Sequence, residues 1–126
     1  MITITPEEIT RFRTELADNT EALSALDAIE ECEGDLESAT QLIAIQQTDE
    51  EVSLRGGSDY LEKFSRKFHK IICQEDFEEL MSGLLTAAIA TLAASGNIPI
   101  ALATPVVIYV AKVGINKFCK VLEPES

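Results

Sequence analysis

The sequence has few of the residues on which active sites and metal centres depend. Its 126 residues include no tryptophan, one histidine and three cysteines. A Ser–His or Cys–His site would therefore have a single candidate base, and no Gly-x-Ser-x-Gly turn or phosphate loop ending in Gly-Lys-Ser/Thr accompanies it. We expect a protein that is not an enzyme and that needs no cofactor.

Cysteine usage and the first residues both favour a reducing compartment. Cys32, Cys73 and Cys119 are an odd number at wide spacing, without a Cys-x-x-Cys pair, which does not predict a disulfide framework. The opening MITITPEE lacks the basic and apolar regions of a signal peptide. A cytoplasmic location is expected, with a position at or in a membrane left open.

One weak constellation of metal-ligand residues is present. His69 and Cys73 are four residues apart, so both could face one metal ion, with Cys119 as a third ligand. A zinc site requires a fourth ligand or a recognisable pair spacing, and the neighbouring lysine and arginine side chains would repel a cation. No metal site is therefore expected.

Positive charge is scarce in the first half of the chain. The formal net charge is −12, and residues 1–54 carry 14 acidic side chains against two basic ones. Such a surface repels nucleic acid and anionic lipid, and it either keeps the protein soluble or meets a basic protein partner. Nucleic acid is not expected as a partner. The candidate interaction residues here are Asp27, Glu30, Glu31 and Glu37.

One electropositive strip follows in the second half. Lys63, Arg66, Lys67 and Lys70 lie on the outer face of a predicted helix. The two phenylalanines of this segment fall on its inward face, so no aromatic platform for nucleic-acid bases is exposed. The strip is a second candidate interaction site. It could contact anionic lipid, contact the acidic half of the same chain, or face solvent.

Helical signals cover most of the chain. A capping box at Thr5–Glu8 predicts a helix over 6–17, Asp18 and Glu21 predict the start of a second helix that ends near 33, and Gly34-Asp35 predicts a turn into a third. Further helices are predicted from 59, from 75 to about 95, and from Thr104-Pro105 to about 122. The predicted fold class is all-α with about six helices.

A short pattern in the second and third predicted helices indicates a known type of module. Its residues are Ala25-Leu26, Gly34-Asp35-Leu36, Ala39 and Leu42. The alanine is small where the two helices cross, and Gly-Asp makes the tight turn between them. Over about residues 5–48 the chain resembles UBA-like domains, which occur in ubiquitin-associated proteins and in elongation factor Ts. The resemblance implies a three-helix protein-binding module.

Two departures limit what this resemblance implies. The loop Ala17-Asp18-Asn19-Thr20 has no exposed aromatic residue, whereas ubiquitin-binding members carry a Met-Gly-Phe/Tyr loop there. The Thr-Gly-Ala-Gly stretch of the elongation factor is also absent. Ubiquitin is therefore not supported as a partner, and no other partner is named.

A long uncharged stretch dominates the second half, with no charged residue over 32 positions from Leu80 to Ala111. Gly96–Pro99 divides it, and 80–95 would form a helix of roughly 24 Å, short of the ~30 Å hydrocarbon core of a bilayer. We expect a buried helical hairpin over 80–118. Its expected core residues include Leu84, Leu85, Ile89, Leu92 and Val110.

The predicted organisation is a UBA-like module over 1–48, an acidic Gly-Gly linker over 49–58, and a second three-helix unit over 59–126 that contains the hairpin. The expected function is that of a non-catalytic adaptor or regulatory protein with a protein partner. The alternative is a small membrane-associated effector that inserts residues 77–118. A homo-oligomer also stays open, because the second unit is rich in apolar residues.

Overall fold

The computed structural model describes residues 2–48 and 60–121, and the predicted linker over 49–58 lies outside the described residues. Within these two ranges the chain forms nine α-helices and no β-strand. In chain order they are α1 (Pro6–Glu15), α2 (Thr20–Glu31), α3 (Leu36–Thr48), α4 (Tyr60–Arg66), α5 (His69–Ile72), α6 (Glu75–Gly83), α7 (Leu85–Gly96), α8 (Ile100–Val113) and α9 (Ile115–Val121).

The all-α class is confirmed, but the expected number of about six helices is wrong, because each predicted helix of the second half is broken once. A turn at Lys67-Phe68 separates α4 from α5. Leu84 leaves the helical conformation, with φ −150° and ψ 86°, and separates α6 from α7. Gly114 separates α8 from α9 with a φ of 98°, which glycine adopts without strain.

The helix starts of the first half follow from side-chain capping. Thr5 and Glu8 form the predicted capping box, and the Asp35 carboxylate accepts a hydrogen bond from the Ser38 amide, 3.3 Å away, at the start of α3. The predicted start of α2 at Asp18 is wrong. Asn19 caps that helix instead, because its side-chain oxygen accepts from the Ala22 amide at 3.0 Å.

The turn between α2 and α3 is fastened to the N-terminal segment. The Ile4 amide donates to the Gly34 carbonyl at 2.8 Å, and the Leu36 amide donates to the Ile2 carbonyl at 3.1 Å. Gly34 has a φ of 84°, and a Cβ atom there would overlap the Ile4 carbonyl oxygen. Only glycine therefore fits the turn that the sequence pattern indicated.

The predicted start of the last long helix at Thr104-Pro105 is also wrong. Helix α8 begins at Ile100, and Pro105 lies inside it. The Thr104 hydroxyl does not cap a helix start but donates back to the Ile100 carbonyl at 2.8 Å. An interior proline costs about 3 kcal/mol, but burying a large apolar side chain returns about 1.5–3 kcal/mol, and α8 buries several. The free energy of burial therefore allows α8 to continue as a helix on both sides of Pro105.

Helix α8 is the central element of the core. All ten residues from Ala101 to Val110 are buried, and the helix packs against α2, α3 and α7. One hydrophobic cluster therefore includes Leu26 and Ile29 of α2 together with Val107 of α8 and Phe118 of α9. Side chains from both predicted units contribute to the same core.

The uncharged stretch divides into buried and exposed parts. Ile89, Leu92 and Val110 are fully buried and Leu85 is half-buried, but Leu84 is 58% exposed, so its expected burial is wrong. In the described ranges no single helix has the length and apolar character to cross a membrane. Helices α7 and α8 meet that test only as a pair, and their axes are bent by 119° at the break.

Candidate interaction surface

Two of the acidic candidate residues hold a neighbouring helix. The Arg13 guanidinium of α1 lies 2.8 Å from both the Asp27 and the Glu30 carboxylate of α2. The hydrogen bond to Asp27, with a smaller contribution from Glu30, raises the pKa of Arg13. These carboxylates are more than half exposed, but part of their charge is already matched within the chain.

The other two acidic candidates differ in environment. Both carboxylate oxygens of Glu37 accept a hydrogen bond from the Leu61 amide at 3.0 Å, and one also accepts from the Gln41 side chain at 2.8 Å. Glu37 therefore joins α3 to the first turn of α4. Glu31, by contrast, is exposed to solvent. The structure does not bring the four acidic candidates together into one open patch.

The basic candidates belong to a larger basic surface. Helices α4, α5 and α9, together with the α4–α5 turn, carry six exposed basic side chains and one acidic side chain, Glu62, while α6, which follows α5, carries four exposed acidic side chains. We call these six residues the basic surface: Lys63, Arg66, Lys67, Lys70, Lys117 and Lys120. Arg66 lies 3.6 Å from Glu62 of the same helix, and the Lys67 ammonium lies 5.6 Å from the centre of the Phe64 ring.

A disulfide and one aromatic side chain bring α9 to this surface. Cys73, at the end of α5, is bonded to Cys119 of α9, and their Cα atoms are 5.7 Å apart. Phe118 is fully buried and packs edge-on against Tyr109 of α8, with 6.2 Å between ring centres. The His69 ring lies 5.9 Å from the Phe118 ring. Lys117 and Lys120 on the outer side of α9 thus lie close to α5.

The structure also brings the metal candidates together, but not as ligands. The sulfur atoms of Cys73 and Cys119 are bonded to each other, and His69 Nε2 lies 3.2 Å from the Cys119 carbonyl oxygen. The cysteine spacing did not predict a disulfide framework, and the Cys73–Cys119 bond shows that this expectation is wrong. Within 2–48 and 60–121, no group of three or more His, Cys, Asp or Glu side chains could hold a metal ion.

Sequence reasoning identified four residues of the basic surface and missed Lys117 and Lys120. These two residues are 47 or more positions after Lys70, and nothing in the local pattern places α9 beside α5. The cysteines could have indicated that α9 lies beside α5, because Cys73 follows Lys70 by three residues and Cys119 directly precedes Lys120. Pairing the two cysteines would have placed the lysines together.

One pocket lies away from the basic surface. It has a volume of about 330 Å³, is open to solvent, and is lined by α1, by the α6–α7 junction and by the end of α8. Phe12, Met81 and Leu85 form its apolar wall, and Arg11 and Glu15 are its ionisable lining residues. The pocket holds no cysteine or histidine that could act as a nucleophile or as a base near neutral pH.

Comparison of the chain with protein-family models, with curated proteins and with solved structures finds no match. The resemblance of residues 5–48 to UBA-like domains therefore stays a prediction from the sequence.

Proposed function

We propose that the protein is a non-catalytic adaptor or regulatory protein, and that its basic surface binds an acidic region of a protein partner. The observation that carries the proposal is the separation of charge. The range 2–48 has eleven acidic and two basic side chains, whereas α4, α5, α9 and the α4–α5 turn together have six basic side chains and one acidic one, with four acidic side chains on the adjoining α6. Complementary charge of this kind speeds and orients association between proteins.

The buried hairpin supports an adaptor over an inserted effector. A helix that enters a membrane has to expose its apolar side chains to lipid, but the ten residues from Ala101 to Val110 are buried against α2, α3 and α7. Inserting α8 would require the separation of these packed helices. The proposed UBA-like character of residues 5–48 fits the same function, since modules of that type bind proteins.

A binding titration tests the proposal. A fluorescent oligoglutamate peptide, which represents an acidic protein segment, is titrated with the full chain at low and at high salt. We expect salt-sensitive binding that is weakened about threefold to tenfold by Lys70→Glu and by Lys120→Glu. The matched control is Arg11→Glu, which makes the same charge change on α1. Equal weakening by all three variants would contradict the proposal, because net charge alone would then explain the binding.

The alternative function is that of a membrane-associated effector, and the bent pair of α7 and α8 is the observation that favours it. Flotation of the full chain with phosphatidylserine vesicles and with neutral vesicles separates the two functions. An adaptor stays at the bottom of the gradient with neutral vesicles and runs as one species on gel filtration without detergent. Flotation with neutral vesicles that is abolished by Leu84→Lys, a charge at an exposed apolar position of the hairpin, would favour insertion instead.

A further inference from the structure

Helix α9 is attached to the rest of the chain by few contacts. It follows Gly114, whose φ of 98° breaks the helical path from α8. Phe118 is its one fully buried side chain among residues 115–120, whereas Ile115 and Cys119 are half-buried. Ile115 and Cys119 pack at the edge of the core cluster, and two further contacts are the disulfide to Cys73 and the contact between His69 and the Cys119 carbonyl oxygen. The disulfide is therefore a major part of what holds α9 in place.

The surroundings of this disulfide suit thiol chemistry. Both cysteines are half-buried at the edge of the core cluster rather than fully enclosed in it. Lys70 lies one helical turn before Cys73, and Lys117 and Lys120 lie within two residues of Cys119, while Glu75 and Asp76 follow Cys73 at two and three residues. Nearby cations stabilise a thiolate, which is the form that attacks and leaves in disulfide exchange.

The third cysteine provides a contrast within the same chain. Burial raises the pKa of the Cys32 thiol, and the neighbouring Asp35 and Glu31 carboxylates add to that effect. Burial and two carboxylates therefore disfavour the Cys32 thiolate, whereas the disulfide has both basic side chains (Lys70, Lys117 and Lys120) and acidic ones (Glu75 and Asp76) close to it in the chain. In reducing compartments lasting disulfides are rare, and those that form are mostly transient, catalytic or redox-sensing.

We propose that Cys73 and Cys119 form a reversible thiol–disulfide site that fastens α9 to α5 and thereby completes the basic surface. The co-reactant is a low-molecular-weight thiol and its disulfide, of the glutathione type. Reduction opens the bond and leaves α9 held by the packing of Phe118 and Ile115 and by the His69 contact. Lys117 and Lys120 then no longer keep fixed positions beside Lys70.

The exchange is balanced in two steps. One cysteine thiolate attacks a sulfur of the small disulfide, which forms a mixed disulfide and expels one small thiolate. The second cysteine thiolate then attacks the protein sulfur of that mixed disulfide, closes the Cys73–Cys119 bond and expels the second small thiolate. Two electrons pass from the protein to the small disulfide, and the two protons lost by the cysteines are taken up by the two expelled thiolates.

Thiol counting in the full chain tests the redox step. The protein is equilibrated over a series of ratios of reduced to oxidised glutathione, quenched with a maleimide and weighed by mass spectrometry under denaturing conditions. We expect one labelled thiol at the oxidising end and three at the reducing end, with the transition inside the series. Cys32→Ser is the matched control, and it lowers both counts by one without moving the transition. A bond that persists in excess dithiothreitol, or thiols that stay free at every ratio, would overturn the proposal.

Hydrogen exchange tests whether the bond holds α9. Reduction should make amide exchange in residues 115–121 at least about tenfold faster, whereas exchange in α8 stays unchanged. The double variant Cys73→Ser, Cys119→Ser should show the fast exchange without reductant and no further response to it. Unchanged exchange in α9 after reduction would show that Phe118 suffices and would overturn the fastening role.

The effect on binding rests on the proposed function, and a separate measurement tests it. Reduction should weaken oligoglutamate binding about threefold to tenfold, as two cations leave the surface. If thiol counting and exchange give the expected results but no oligoglutamate binds, the proposed function fails and the thiol–disulfide site stands. If the peptide binds equally to both forms, the basic surface stands and its control by the disulfide is overturned.

Discussion

Glu37 illustrates why composition is a poor guide to the role of a single acidic residue. In the sequence it is one of many carboxylates on a charged helix, and it is therefore predicted to be an interaction residue. In the structure its two oxygens accept from the Leu61 backbone amide, which lies 24 residues further along the chain. No local spacing could reveal this contact, because it depends on where α4 lies against α3.

Replacing this carboxylate should therefore affect stability more than binding. We expect Glu37→Ala to lower the free energy of unfolding by about 1–3 kcal/mol, since the partly buried Leu61 amide loses its acceptor. Glu31→Ala, at an exposed position at the end of α2, should change it by less than about 0.5 kcal/mol. Urea denaturation of both variants measures the difference. Equal values would show that the contact contributes nothing to stability.

Gly34 is the opposite case, a residue whose role the sequence did indicate. Glycine before a helix-capping aspartate is typical of a turn with positive φ, and the structure has a φ of 84° at Gly34. The pattern could not show the second constraint, which is the close approach of the Ile4 carbonyl oxygen.

Both constraints act against any side chain at this position. Gly34→Ala should destabilise the protein by about 2 kcal/mol or more, because alanine strains the left-handed conformation and its methyl group meets the Ile4 carbonyl. Gly83→Ala is the control, since a Cβ atom there meets nothing within 4 Å. Thermal melts compare the two variants. A melting temperature for Gly34→Ala as high as that for Gly83→Ala would contradict the description of this turn.

At the scale of the elements, the starts of α1 and α3 were predicted from their capping side chains, the start of α2 was predicted one residue before its true cap Asn19, and the start of α8, which burial sets, was missed. Thr5 and Asp35 act locally, so their capping residues could be identified from the sequence. Helix α8 starts five residues before the Pro105 that was expected to begin it. Whether a helix passes through a proline depends on the burial of its neighbours against α2, α3 and α7, which the local sequence does not encode.

The central position of α8 leads to a direct stability prediction. Val107→Lys should destabilise the protein by several kcal/mol and should populate unfolded or aggregated chain, because the 1% exposed site offers a charge no partner. Leu85→Lys, at a half-buried position, should have a smaller effect. Ala90→Lys, on the exposed side of α7, should be nearly neutral. Circular dichroism melts give the order, and similar melting temperatures for all three would contradict the buried hairpin.

The contact between α1 and α8 predicts a dependence on pH. The Lys112 ammonium lies 2.8 and 2.9 Å from the two Glu8 oxygens, and this hydrogen bond, with one from the Thr5 amide, lowers the pKa of Glu8 below its ordinary value of 4.5. A lowered pKa means that the stabilisation is present above pH 4.5 and is lost as the pH falls through the lower folded value.

Glu8→Gln should therefore lower stability near neutral pH by about 0.5–1 kcal/mol, and this difference from the unmodified chain should vanish in acid. Glu7→Gln, at the exposed neighbouring position, is the control. Urea denaturation at a series of pH values measures the effect. A deficit that persists below the pH at which Glu8 is protonated would show that the glutamine acts through something other than the lost charge.

At the scale of the whole molecule, charge is distributed unevenly over a shared core. The acidic first half and four of the six cations of the basic surface could be predicted from the sequence alone. It could not give Lys117 and Lys120, because their position depends on Phe118 packing against Tyr109 and on the pairing of Cys73 with Cys119. Contacts between distant segments therefore determine the extent of the surface.

The most direct test of the proposed binding surface is a map of where an acidic ligand protects the chain. Hydrogen exchange of the oxidised full chain is measured with and without saturating oligoglutamate. Slower exchange confined to α4, α5 and α9, and lost on Lys70→Glu but retained on Arg11→Glu, is the expected result. Protection on α1–α3 or along α7, or no protection at any concentration, would contradict the assignment of the basic surface as the docking site.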